Sequence, residues 1–180
     1  MADNQATPAS TANTVWNTLG SRIRFRHLAG GTLGLTYVLM LLGAYTSAIG
    51  AGLSCPDWPA CYGAWVPFLH PGIIANSPYS AWQIFAEWFH RGLAMVVGFL
   101  ILGMTLAAWR VQRDRPLVVW TATLALLLLP IQVVLGGLTV TRLLQPLIVT
   151  AHLGTAVMIL LALMTATLTA WIYDCNSVIG

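Results

Sequence analysis

WQIFAEWFHRGLAMVVGFLILGMTLAAW, residues 82–109, is the stretch whose reading decides the fold. From Gly92 to Trp109 it carries no charge, and roughly 20 apolar residues are what a helix needs to cross the hydrocarbon core of a bilayer. Its first third, however, holds Glu87, His90 and Arg91. Ionisable side chains inside a membrane span are costly and by default mark a functional site. The segment therefore reads as a transmembrane helix with chemistry near one end.

Composition extends that reading to the whole chain. Of 180 residues 58% are hydrophobic and only 7% charged, and lysine is absent. A soluble domain carries about 25% charged residues. Three more spans can be read off: Leu28 to Ile49, Leu117 to Leu138, with Pro130 as a candidate kink, and Leu147 to Tyr173. The expected fold is all-α, a four-transmembrane-helix bundle. The net charge of +3 lacks the basic stripe with interleaved aromatics that nucleic-acid binding requires.

Arginine placement predicts the orientation, because short cytoplasmic loops are enriched in basic residues. Arg22, Arg24 and Arg26 precede the first span, and Arg110, Arg113 and Arg115 fill the link between the second and third. The long link between spans one and two has no basic residue, and that between three and four has only Arg142. Both termini are then expected in the cytoplasm and loop 50–81 outside. Residues 1–20 are polar and lack an apolar core, so they read as a disordered tail and not as a cleavable signal. Residues 21–180 form the membrane domain.

The outer loop contains GLSCPDWPACYG, residues 52–63. On an oxidising face Cys55 and Cys61 can persist as a disulfide, whereas Cys175 lies on the reducing side. A bridge is sterically possible, and closing so small a ring stabilises by roughly 2 kcal/mol in the chain-entropy account. Two roles stay open, a loop staple and a redox-active pair. The spacing is not the CxxC of thioredoxin-like sites.

Four histidines are distributed unevenly. His27 sits among the arginines before span one and reads as interfacial; His70, in FLHPG, reads as a loop contact or a gate. His90 lies roughly 12 Å into span two and His152 roughly 8 Å into span four, at 1.5 Å per residue. These two spans run parallel, so the imidazoles share a depth. That arrangement suits bis-histidine ligation of a haem within a four-helix bundle; the alternative is a pair bonded to helix backbone or to each other.

Glu87 is one turn from His90, on the same face. It has two readings: an ion pair with Arg91, or a carboxylate that handles protons or stabilises positive charge beside a cofactor, leaving Arg91 for a haem propionate. Gln132 is a further polar candidate for the cavity. Gly30 and Gly34 form a GxxxG pattern, and Gly136–Gly137 would let a helix or flat ligand approach.

The loop GLSCPDWPACYG, the motif EWFHR and the stretch QVVLGGLTVTRLLQPLIVTAHL, in this order, resemble the haem A synthase family of cytochrome oxidase assembly proteins over most of residues 30–160. The resemblance implies oxidation of the porphyrin methyl of haem O to the formyl of haem A, for use in terminal oxidases. It makes His90 and His152 axial ligands of a haem, haem b or substrate haem O. Glu87 becomes the carboxylate beside the reacting methyl, and Cys55 and Cys61 match the family's outer-loop disulfide pair. Expected partners are a haem O donor (haem O synthase), membrane lipid and an unspecified electron acceptor.

Two departures stand out. Family members typically have eight spans in two similar halves, so four spans supply one half, and a homodimer would rebuild the whole. Ser47, in TSAIGAG, stands where the family has an arginine. Two further functions compete with the enzyme: a non-catalytic haem-binding assembly protein, and a quinone-linked thiol oxidoreductase using Cys55 and Cys61.

Overall fold

The structure, a computed structural model, describes residues 8–179. Five α-helices follow one another: α1 (Pro8–Ala48), the short α2 (Pro71–Asn76), α3 (Ala81–Val111), α4 (Pro116–Thr141) and α5 (Pro146–Ile179). A single turn of 3₁₀ helix, Pro67–Leu69, precedes α2. Within the long helices, Arg24–Ala48, Ala81–Val111, Pro116–Thr141 and Pro146–Cys175 are each long and apolar enough to span a membrane. These match the four spans read from the sequence to within a few residues. Pro130 sits inside α4 without ending it. Helix α1 begins at Pro8, within the segment expected to be a tail, where proline at a first helical position is favoured; residues 1–7 lie outside the described residues.

The four long helices pack in chain order, α1 on α3, α3 on α4, α4 on α5 and α5 on α1, closing a ring. Short links force this up-and-down arrangement. Outward faces carry large apolar side chains such as Tyr37, Phe99, Trp120, Leu127 and Ile172, a surface suited to lipid.

The two ends of the bundle differ. Toward the α3–α4 turn, the core is a seam of small residues: Ala108 on α3, Ala122 and Ala125 on α4, and Ala162, Ala166 and Ala170 on α5, wrapped around Met104, Ile101 and Leu163. Small side chains let backbones approach, which is how membrane helices gain packing energy where there is no hydrophobic driving force. Thr105 adds an interhelical bond, donating to the carbonyls of Ile101 and Ala122 at 2.9 and 3.0 Å. Arg115 is buried at the start of α4 and donates to Asp174 Oδ1 on α5 at 2.6 Å. The α3–α4 turn is thereby fastened to the last turns of α5. Glu87, His90 and His152, the ionisable residues singled out within the spans, lie toward the other end.

That other end is covered by loop 50–80, which is tied down at several points. Ser80 and Gln83 form a reciprocal capping box at the start of α3, which satisfies two otherwise orphaned N–H groups. Gln83 also donates to the Ile49 carbonyl at 2.9 Å, linking the end of α1 to the start of α3. Trp82 Nε1 donates to Tyr45 at 2.9 Å, and Trp88 Nε1 to the Trp65 carbonyl at 2.7 Å.

Candidate functional site

Cys55 and Cys61 are joined by a disulfide and are buried against Ile84 on α3. The ring they close is followed at once by a tight turn. Cys61 and Ala64 exchange backbone hydrogen bonds at 3.0 and 3.1 Å, around Tyr62 and Gly63, both at positive φ (54° and 72°). Two left-handed residues in succession define a type I′ turn, and tyrosine is a costly occupant of the first position. Asp57 offsets this: its carboxylate accepts from the N–H of Tyr62 at 2.5 Å and of Gly63 at 2.8 Å.

Beneath the loop, Glu87, His90 and Arg91 occupy consecutive turns of α3. Glu87 is buried and accepts from Arg91 Nε at 2.9 Å, so the ion pair anticipated from their spacing forms. The remaining guanidinium nitrogens turn into the loop. Nη1 donates to the carbonyls of Asp57 at 2.6 Å and Ala60 at 2.7 Å, and Nη2 to that of Cys55 at 2.8 Å. Arg91 thus binds the disulfide ring as well as Glu87. Backbone carbonyls leave no side-chain signature, so nothing in the sequence marks this use.

His90 on α3 and His152 on α5 come together, close enough to act on each other electrostatically. Each imidazole rests on a glycine of a neighbouring helix. A Cβ at Gly43 on α1 would stand 2.9 Å from His90 Cε1, and one at Gly136 on α4 would stand 3.2 Å from His152 Cε1. The adjacent Gly137 seats the indole of Trp58 at 3.2 Å. The Gly136–Gly137 pair therefore accommodates two rings side by side. Gly43 was not among the candidates, and no spacing motif distinguishes it. By contrast, a Cβ at Gly30 or Gly34 would meet nothing within 4 Å among the described residues, so this GxxxG marks no tight helix contact there.

Among the described residues, Nδ1 of His90, Nδ1 of His152 and Oε1 of Gln132 are buried with no hydrogen-bond partner. The backbone carbonyl of Gln132 lies beside the His152 ring. Buried polar atoms are nearly always paired, and each imidazole carries one that is not, which leaves both rings open to a ligand. No three His, Cys, Asp or Glu side chains converge among the described residues. A metal held by this pair must bring its own equatorial ligands, as a porphyrin does. The residues present fit a haem, which His90 and His152 would hold.

The other singled-out residues lie elsewhere. His70 is exposed between the 3₁₀ turn and α2, and His27 is exposed toward the opposite end of α1. Ser47 is exposed in the last turn of α1, and Cys175 near the end of α5.

The fold and this geometry define a multi-pass membrane bundle with two histidines whose Nδ1 atoms are buried, one on α3 and one on α5. Residues 26–177 match the cytochrome oxidase assembly protein family, COX15-CtaA, and the chain belongs to that family. It is 36% identical to a heme A synthase of Shewanella oneidensis, over 68% of this chain and 38% of that protein. A heme A synthase of Bacillus pumilus is 29% identical over 66% of this chain and 37% of its own length. A protoheme IX farnesyltransferase of Halobacterium salinarum is 36% identical over 62% of this chain and 22% of its own length. The chain thus spans from about a fifth to two fifths of these relatives. No solved structure matches it.

Proposed function

We propose that this chain is a haem-dependent membrane oxidoreductase of the haem A synthase type, oxidising the methyl group of haem O to the formyl of haem A for terminal oxidase assembly. The observation that carries the reading is the His90–His152 pair, seated on Gly43 and Gly136 with its orphaned ring nitrogens, one helical turn from buried Glu87. When bound, haem supplies the oxidative chemistry; the chain supplies position and charge. His90 and His152 fix the iron from α3 and α5. Glu87 holds a negative charge beside the site, where positive charge develops at the reacting carbon, and its bond to Arg91 keeps the carboxylate from swinging away. The loop, closed by Cys55–Cys61, keeps water from this end of the bundle.

The match to farnesyltransferases supports a haem O donor as partner, since farnesylated protohaem is the substrate this reading requires. A homodimer is the assembly this reading proposes, with two four-helix units side by side. In this reading the loop end faces away from the cytoplasm, where the arginine distribution puts it.

A second reading, a haem-binding assembly protein without catalysis, is favoured by one observation: Glu87 is already paired with Arg91. Co-expression with a haem O-producing enzyme, followed by pigment extraction, separates the two. Haem A or its hydroxylated precursor is expected for the enzyme; unaltered haem O bound to the chain would leave only the carrier. A purified protein with no low-spin haem absorbance, unchanged by His90→Ala, would end both.

A further inference from the structure

The disulfide loop reaches α3 beside His90 and α4 beside the glycine that seats His152. Three carbonyls from within the 55–61 ring, those of Cys55, Asp57 and Ala60, converge on the guanidinium of Arg91. Arg91 is the backbone neighbour of His90, and its side chain is only 14% exposed. Charge-assisted bonds shielded from water in this way are stronger than their exposed counterparts. From the same ring, Trp58 reaches across to Gly137, the neighbour of the glycine that seats His152. The ring is thus wrapped around a cation on α3 while its indole lies on α4.

We propose that Arg91 is a positioning residue: it locks the Cys55–Cys61 ring onto α3, and the geometry at His90 and His152 depends on that ring being closed. The proposal rests on the haem-binding reading of the two histidines, but its first half stands apart from it. The carbonyl cradle exists only while the ring holds Cys55, Asp57 and Ala60 on one side of the guanidinium. With the ring open, the loop loses its shape, Arg91 loses its acceptors, and Trp58 is free to leave Gly137. The locked ring in turn shields its own sulfur atoms, which are buried under it.

Two measurements on the full chain test this. In the first, the haem-free wild type, Arg91→Lys and Arg91→Gln are exposed to a dithiol. The reagent delivers two electrons and two protons, breaks the S–S bond into two thiols and is itself oxidised to a cyclic disulfide. Arg91→Gln should be reduced about tenfold faster than wild type, given the loss of several charge-assisted bonds, with Arg91→Lys in between. Equal rates in all three would overturn the lock.

In the second, ferric haem-loaded protein is examined by electron paramagnetic resonance. The paired Cys55→Ser, Cys61→Ser variant should shift the low-spin signal as Arg91→Gln does, and combining all three changes should add nothing further. An unchanged signal in the double serine variant, or shifts that simply add, would overturn the coupling. That variant alone decides this arm if Arg91→Gln does not fold. A wild type with no low-spin signal sinks the proposed function and the coupling together, while the reduction rates still decide the lock.

Discussion

Gly43 on α1 lies directly beneath the imidazole of His90 on α3, with room for nothing larger: a Cβ there would come within 2.9 Å of Cε1. The contact is ring against backbone, so neither side has a flexible end that can give way. His90 is held in place by α1 as much as by its own helix.

Gly43→Ala should therefore displace the imidazole. Haem loading and low-spin absorbance should fall sharply, with little loss of helical content. Gly30→Ala is the matched control, because a Cβ there meets nothing within 4 Å. It should leave haem binding intact and add roughly 0.5–1 kcal/mol of helix stability. Equal haem loading in both variants would remove Gly43 from the site.

Asp57 should matter to the loop through two backbone N–H groups rather than through its charge. Asp57→Ala leaves Tyr62 at φ 54° without the carboxylate that accepts from it. The loop should then be clipped faster by protease under native conditions. Tyr62→Gly in the same background should restore part of the protection, because glycine takes positive φ without steric cost. Tyr62 also hydrogen-bonds Ser77 at 2.8 Å through its hydroxyl, so Tyr62→Phe in the same background is the control. If Tyr62→Gly protects no better than Tyr62→Phe, the turn argument is wrong.

At the opposite end, the Arg115–Asp174 pair should behave as a buried salt bridge. Removing Asp174 leaves the buried Arg115 guanidinium without its carboxylate, at a cost of about 3–5 kcal/mol. Arg115→Met and Asp174→Leu should each lower the melting temperature in detergent, and the double variant should recover most of the loss. Additive losses in this cycle would mean that the two residues act independently. Haem loading should be untouched by the double variant, because the alanine seam separates this pair from the histidines.

The sequence made the four helices legible because hydrocarbon thickness imposes long uninterrupted apolar runs; each run lies within one helix, although α1 begins at Pro8, well before its run. His90, His152 and Glu87 were legible for the same reason: an ionisable group in such a run is conspicuous. What could not be read were contacts whose partners have no side-chain signature. The carbonyls that gather round Arg91 are backbone atoms, so only its pairing with Glu87, four residues away, could be anticipated. Gly43 is one of 16 glycines and carries no motif, whereas Gly30 and Gly34 carry a motif and touch nothing. Arg115 and Asp174 lie 59 positions apart, so only the folded bundle brings them together. Seven of the eight arginines are outside the apolar runs, and their number alone gave no hint that one of them would be buried.

Glu87 offers the most direct separation of catalysis from haem binding. The carboxylate is buried, one turn from His90, and holds Arg91 through a 2.9 Å bond. Glu87→Gln keeps the size of the side chain and an oxygen to accept from Arg91 Nε, so the loop cradle should survive. What it removes is the negative charge near the reacting carbon. If that charge stabilises the transition state, turnover should fall by about 10²-fold or more, as for other preorganised electrostatic groups, while haem content and the low-spin spectrum stay as in wild type. Glu87→Ala should lose turnover to a similar degree and in addition loosen Arg91, which the dithiol reduction rate of Cys55–Cys61 would register. Full turnover in Glu87→Gln would assign the carboxylate to Arg91 alone and leave the histidine pair as the site's only contribution to the chemistry.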